Sequence, residues 1–94
     1  MPDVYDFLVD VLGSRVRVKI VLALIQLGES TLTRLVRETG LNHVVVKQGI
    51  EYLKRHSIVV EERIGGYVVY RVDDNNPLIV ALRDLVEKMT RKER

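Results

Sequence analysis

The chain has 94 residues, 47% hydrophobic and 30% charged, with a net charge of +2 and no cysteine. This suffices for one small domain with a core and is too apolar for a disordered chain, while no run approaches the roughly 18 apolar residues of a membrane helix. Without cysteine there are neither disulfides nor thiolate metal sites, which suits an intracellular protein, and no signal-peptide pattern opens the chain.

Val4, Tyr5, Leu8, Val9, Val11 and Leu12 recur at spacings of three and four. They predict an amphipathic helix over 3–12, capped by Asp3 and stopped by Gly13. So short a helix must pack on something, its own body or a second chain. Ser14 then caps a second helix. Its apolar face is Val16, Ile20, Ala23, Leu24 and Leu27, widened by Val18, Val21, Leu22 and Ile25, and Gly28 closes it. Arg15, Arg17 and Lys19 crowd its first half, where positive charge opposes the macrodipole by about 0.3–1 kcal/mol. A nearby phosphate would relieve that conflict, and so would snorkelling of the long side chains to water.

Thr31 caps a third helix that runs through Thr39, with Leu32, Leu35 and Val36 inward and Thr33, Arg34, Arg37 and Glu38 outward. Gly40 supplies a left-handed residue for a sharp turn, Leu41 plugs the gap, and Asn42 caps a fourth helix over 42–56. Helix, tight glycine turn and capped helix make a helix-turn-helix pattern. Ile50 and Leu53 fall within about 40° of Val46 on the helical wheel and form the buried stripe. The other side carries Val44, Lys47, Gln48, Glu51 and Arg55. A valine there is out of place on a solvated face and has a use on a surface that reads base edges. Gly49 costs about 1 kcal/mol relative to alanine. Close approach of another helix would explain it; a tolerated glycine is the alternative.

β-Branched and aromatic residues in Ile58–Ile64 and Tyr67–Val72 flank Gly65-Gly66, which predicts a β-hairpin with a primed turn. Val68, Tyr70 and Val72 share one face; Tyr67, Val69 and Arg71 share the other. Arg63, beside the turn, is placed for a phosphate or for Glu61 or Glu62. After the break at Asp73-Asp74-Asn75, Asn76 caps and Pro77 begins a last helix over 76–90. Its stripe of Leu78, Ile79, Leu82, Leu85, Val86 and Met89 is wide for a terminal helix. It either folds back on its own core or meets its copy in a dimer with help from the first helix, and the dimer is favoured. Arg91 to Arg94 are expected to fray.

The charges are unevenly placed. Residues 1–12 hold three acidic and no basic residues; 13–57 hold eight basic against three acidic; 58–94 hold seven of each. The positive block contains the helix-turn-helix, which is the electrostatic footprint of a polyanion-binding surface. A soluble domain with accidental asymmetry is the plain alternative. No nucleophile–base signature or pair of carboxylates on a cleft-forming face suggests an enzyme. Gly65-Gly66 lacks the helix that would make it a phosphate loop. His43 and His56 give no metal spacing, and 73–76 lacks the terminal glutamate of a calcium loop. Neither a cofactor nor a metal is expected.

In fold class this is α+β, mainly helical: a winged helix-turn-helix with a three-helix core, a two-stranded β-wing and flanking N- and C-terminal helices, all in one domain over 1–94. Several stretches occur in an order that resembles the ArsR-type and related MarR-type transcriptional regulators, especially archaeal ones, over about residues 8–86. They are Leu12-Gly13-Ser14-Arg15-Val16-Arg17-Val18-Lys19-Ile20; Leu35 with Gly40-Leu41-Asn42; Val46, Ile50 and Leu53; and Gly65-Gly66-Tyr67 with Tyr70-Arg71-Val72. The resemblance implies a homodimer on double-stranded DNA, with paired helices in successive major grooves, in the cytoplasm and associated with the nucleoid. It puts base-edge contact on His43, Val44, Lys47 and Gln48, and backbone contact on Thr31, Arg34 and Arg63 of the wing 63–67. Arg15 and Arg17 join the backbone set from the second helix. The expected dimer interface is Leu8, Leu78, Leu82, Leu85 and Met89, on terminal helices 3–12 and 76–90. Metal-sensing members of the ArsR type carry a cysteine pair where this chain has Ser30-Thr31-Leu32-Thr33, and a last-helix histidine that is absent here, so a metal sensor is not expected. The family's small hydroxyl residues early in the recognition helix are replaced by Val44 and Val45, which shifts weight to phosphate contacts. Chemically, Gln48 suits adenine, Lys47 guanine and Val44 a thymine methyl. His43 lies toward the edge of the buried stripe, as a base contact or a partly buried structural histidine. Two other readings stand beside this one: a winged-helix protein-interaction module of a transcription or replication complex, and a nonspecific architectural DNA binder.

Overall fold

The computed structural model describes residues 3–92. The element order is α1 (Val4–Leu12), α2 (Arg15–Leu27), α3 (Leu32–Thr39), α4 (His43–Arg55), β1 (Val59–Ile64), β2 (Tyr67–Val72) and α5 (Pro77–Lys92). Each helix begins at the cap its sequence supplies. Asp3 accepts from the N–H of Tyr5 at 2.8 Å, Ser14 from Arg17 at 3.2 Å and Thr31 from Arg34 at 3.3 Å. Asn42 accepts from Val44 at 2.7 Å and Val45 at 3.4 Å, and Asn76 from Leu78 at 2.9 Å. These bonds satisfy N–H groups that a first turn cannot satisfy itself.

α2 is the hub, packed against α1, α3, α4 and β2. Its Ile20 and Leu24 are fully buried with Leu35 of α3, Val46, Ile50 and Leu53 of α4, Ile58 ahead of β1 and Ile79 of α5. The α3–α4 turn is tied twice. Gly40 takes φ 69° and its N–H donates to the Val36 carbonyl at 3.0 Å. The buried Thr39 hydroxyl donates to the Leu35 carbonyl at 2.7 Å and accepts from the Leu41 N–H at 3.3 Å. Leu41 packs against the core, as the plug its position predicted.

At Gly49, α4 lies close against α2. A Cβ there would stand 2.6 Å from Ile20 Cδ1 and 3.1 Å from Val16 Cγ1. Close approach is therefore the reason for the glycine. Gly49→Val should lower unfolding free energy by about 1–3 kcal/mol, the range for overpacking, because its Cβ alone would force the buried Ile20 and the neighbouring Val16 to shift. A urea midpoint equal to wild type would refute this.

β1 and β2 pair antiparallel from Val59↔Val72 to Ile64↔Tyr67. Gly65 has φ 62° while Gly66 has no positive φ, so the turn is primed with only its first central residue left-handed. One pairing was not anticipated. Ser30 bridges Tyr70 from the α2–α3 loop, with N–H to carbonyl distances of 2.9 and 2.8 Å. It stitches the wing to the helical core where a free hairpin would be marginal.

α5 folds back on its own core along only half its length. Ile79 is buried and Leu78 and Leu82 pack on the core, whereas Leu85, Val86 and Met89 are exposed. The helix also runs two residues past the expected end. Arg91, expected to fray, instead pairs with Glu87 one turn back at 2.7 Å; Glu93 and Arg94 lie outside the described residues. Among the described residues no helix is long and apolar enough to cross a membrane.

Candidate nucleic-acid interface

Burial of Val46, Gly49, Ile50 and Leu53 turns the other side of α4 outward. His43, Val44, Lys47 and Gln48 are all exposed, and Val45 is half-buried. The structure thus brings the four expected base-edge residues together on the first turn and a half of one helix. His43 is exposed, so it is not a partly buried structural histidine. Thr31 is half-buried and spends its hydroxyl oxygen on capping α3; Arg34, one turn on, is exposed.

The cations divide into two groups. Lys54 pairs with Glu61 and Glu51, Arg71 with Glu62, Arg83 with Asp74, Lys88 with Asp84 and Arg91 with Glu87. Arg15, Arg17, Lys19, Arg34, Arg37, Lys47, Arg55 and Arg63 have no carboxylate partner among the described residues. All of the second group but Arg63 belong to the α2–α4 block. Arg63, near the wing tip, makes no ion pair with Glu61 or Glu62, which bond Lys54 and Arg71, and acts on Glu61 only through its charge. Arg37 and Arg55 are exposed as well. They were not among the expected contacts, although their place in the positive block was a signal for them.

Two unpaired cations are used inside the fold. Lys19 donates to the Thr39 carbonyl at 3.2 Å, at the C-terminal end of α3 where positive charge is favoured. Arg17 donates through Nη1 to the Asp10 carbonyl at 2.8 Å, and its guanidinium lies 3.4 Å from the centre of the Tyr52 ring. Tyr52 in turn meets His56 at 4.3 Å between centroids, and His56 meets Phe7 of α1 at 5.4 Å. Arg17 therefore ties α1 to α4 through a cation–π contact. Arg15, two residues earlier, is exposed. Nothing local links Arg17 to Tyr52, and sequence reasoning missed the pair.

The wing is braced on α4 by Lys54 of that helix and Glu61 of β1 at 2.9 Å. The hydrogen bond to Lys54 holds the Glu61 carboxyl below its usual value of 4.5. The same bond raises Lys54 above 10.5. Burial, followed by the charge of Glu61, raises the nearby Tyr70 phenol. A depressed carboxyl stabilises the fold above its unfolded pKa and loses that contribution as pH falls through the folded value. Glu61→Gln should therefore lower Tm slightly at neutral pH, with the difference from wild type closing below about pH 4. A Tm difference that stays constant from pH 7 to pH 3 would exclude this role.

The wing tip also carries Ile64 and Tyr67, directly cross-strand and exposed, Tyr67 by 70%. Both lie within the expected wing 63–67, though only Arg63 was expected as a contact there. Elsewhere, Val11 and Leu12 of α1, Val21 and Leu22 of α2, and Leu85 and Met89 of α5 line a groove of apolar side chains. Tyr5 and Val9 extend the apolar surface along the outside of α1. Of the expected dimer residues, Leu85 and Met89 stand in the open, Leu78 and Leu82 are partly committed to the core, and Leu8 is half-buried. Among the described residues no three His, Asp or Glu side chains converge on a site fit for a metal ion.

Solved structures share this arrangement over nearly the whole chain. The transcriptional repressor BigR from Xylella fastidiosa is 21% identical, with 96% of this chain and 87% of that one covered at a TM-score of 0.79. The repressor PagR of Bacillus anthracis is 22% identical, with 87% and 91% covered at 0.71. The homodimeric winged helix-turn-helix DNA-binding domain Mb0332 from Mycobacterium bovis, described as a possible ArsR-family regulator, is 23% identical, with 99% and 90% covered at 0.66. At these identities the likeness establishes the fold, a winged helix-turn-helix, as the sequence predicted. No curated protein sequence matches the chain. The fold and the family are those of a binding module, not of an enzyme. Residues 3–60, α1 to the start of the wing, match the helix-turn-helix domain of RNA polymerase III subunit RPC82, and the chain belongs to that helix-turn-helix family.

Proposed function

We propose that the chain is a homodimeric transcriptional regulator that binds duplex DNA, laying α4 in the major groove and the wing, residues 63–67, along the backbone. The observation that carries this reading is the partition of the cations. Carboxylates neutralise Arg71 of β2, Arg83, Lys88 and Arg91 of α5 and Lys54 at the base of the wing, while Arg15, Arg34, Arg37, Lys47 and Arg63 stay exposed without one among the described residues. An unneutralised basic surface on the outer side of a helix-turn-helix suits a phosphate backbone. His43, Val44, Lys47 and Gln48 face the base edges; Thr31, Arg34, Arg63 and Arg15 face phosphates. Arg17 positions α1 against α4 rather than reaching outward. The terminal helices of the single domain, 1–94, are the dimerisation elements, since α1 and the far half of α5 leave apolar side chains uncovered that one copy cannot bury. Two α4 helices would then lie about 34 Å apart, one duplex turn. Such a protein works in the cytoplasm, at the nucleoid. Anisotropy titration of labelled genomic fragments tests the reading: submicromolar binding at low salt is expected, and no binding at low salt would sink it.

A second reading has its own support. The family is described by a polymerase subunit, and the outer face of the wing carries exposed Ile64 and Tyr67 beside the half-buried Val60 and Val69. On that reading the wing docks on a protein of a transcription complex. Lys47→Ala and Arg34→Ala would then leave function intact, and Tyr67→Ala would abolish assembly.

A further inference from the structure

We infer that Val44 makes this interface selective for duplexes that present a thymine 5-methyl group in the major groove. The inference rests on the DNA-binding reading above and names the chemistry of its preferred half-site. Three features lead to it.

The first is isolation. Val44 is 59% exposed and is the only large apolar residue exposed on α4. Leu12, Leu22, Leu85, Val86 and Met89 share the apolar groove, and Ile64 and Tyr67 meet at the wing tip. Val44 sits instead among exposed His43, Lys47 and Gln48.

The second is rigidity. The Val44 N–H is held by the Asn42 cap at 2.7 Å, and Val46, two residues on, is fully buried. A β-branched side chain in a helix has one strongly preferred χ1 rotamer. The two methyl groups are therefore presented in a fixed direction, with little ordering left to be done on binding.

The third is chemistry. Among base edges in the major groove, thymine alone offers an apolar group, its C5-methyl. A valine set against guanine, cytosine or adenine would cover donors and acceptors without satisfying them. Gln48, one helical turn and about 6 Å further along the axis, lies on the same ridge. It carries the amide that pairs bidentately with adenine. The favoured half-site thus places a thymine one or two base steps from an adenine read by Gln48.

The test uses the full chain and duplexes recovered by selection from a random-sequence pool. Each thymine of the recovered site is replaced in turn by deoxyuridine, which lacks only the methyl, and affinity is measured by anisotropy. A position is expected where the change weakens wild type about four-fold per half-site, the value of one buried methyl, while Val44→Ser binds the two duplexes equally. Wild type that binds thymine and uracil duplexes alike overturns the inference and leaves DNA binding standing. Recovered sites with no fixed thymine do the same. A pool from which nothing is recovered at low salt removes the DNA-binding reading, and this inference with it.

Discussion

Raising salt from 50 to 200 mM should weaken duplex binding by about 10⁴-fold. Arg15, Arg34, Arg37 and Arg63 are exposed and have no carboxylate partner among the described residues. A dimer brings about eight such charges to phosphates, and each displaces condensed counterions with a slope near −0.9 per contact, or about −7 in all. Four-fold more salt to that power gives the expected loss. Arg34→Ala removes one contact per subunit, so its slope should be shallower by about 2 and its weakening much the same on unrelated sequences. Lys47→Ala and Gln48→Ala should behave differently, relaxing specificity by about 1–3 kcal/mol at a defined base pair. The ion pairs of α5 supply the control. Arg83 and Lys88 are already neutralised by Asp74 and Asp84, so Arg83→Ala and Lys88→Ala should leave the slope unchanged. A flat salt dependence, or equal slopes for Arg34→Ala and Lys88→Ala, would show that the unpaired cations do not meet phosphates.

Why so much of the fold was legible is a matter of range. Asp3, Ser14, Thr31, Asn42 and Asn76 act on N–H groups two or three residues away, so each cap could be read locally. The buried stripe of α4 follows from helical periodicity alone, and Gly49 signalled a close neighbour without naming Ile20. What escaped was tertiary. Ser30 reaches Tyr70 across forty positions, and a serine in a short loop gives no hint of a strand pairing. Arg17 looked like one more cation near a helix start, yet Tyr52 and the Asp10 carbonyl claim it. The end of α4 was only roughly placed because no glycine marks it; Ser57 takes the left-handed conformation instead, at φ 59°. For the interface, sequence supplied which residues face outward from α4. It could not say which cations would stay unpaired, since Glu61 and Glu62 were open to Arg63 until the position of α4 gave Glu61 to Lys54 and the hairpin register gave Glu62 to Arg71. Nor could it divide α5 into a half that serves the core and a half that does not.

That division sets up the other large effect. Leu85→Glu and Met89→Glu should each convert a dimer into a monomer and reduce duplex affinity by about 10²–10⁴, the range for losing a second linked binding event. Leu85 is 51% exposed and Met89 58% exposed, and both border the groove between α1, α2 and α5. A carboxylate there adds no buried charge to the single chain, so at protein concentrations low enough for wild type to be monomeric as well, unfolding free energy should stay within about 0.5 kcal/mol of wild type. In an apolar dimer seam the same carboxylate would be buried without a partner, which a stable interface does not tolerate. Leu82 is the contrasting position: it is half-buried on the core, so Leu82→Glu should damage folding and assembly together. Sedimentation of wild type and the three variants, paired with denaturant melts, separates these effects. If Leu85→Glu remains a dimer, α5 does not form the seam. If it is monomeric but binds the same duplex as tightly as wild type, the subunits act one at a time, and the groove exposed between the terminal helices serves some purpose other than joining two recognition helices.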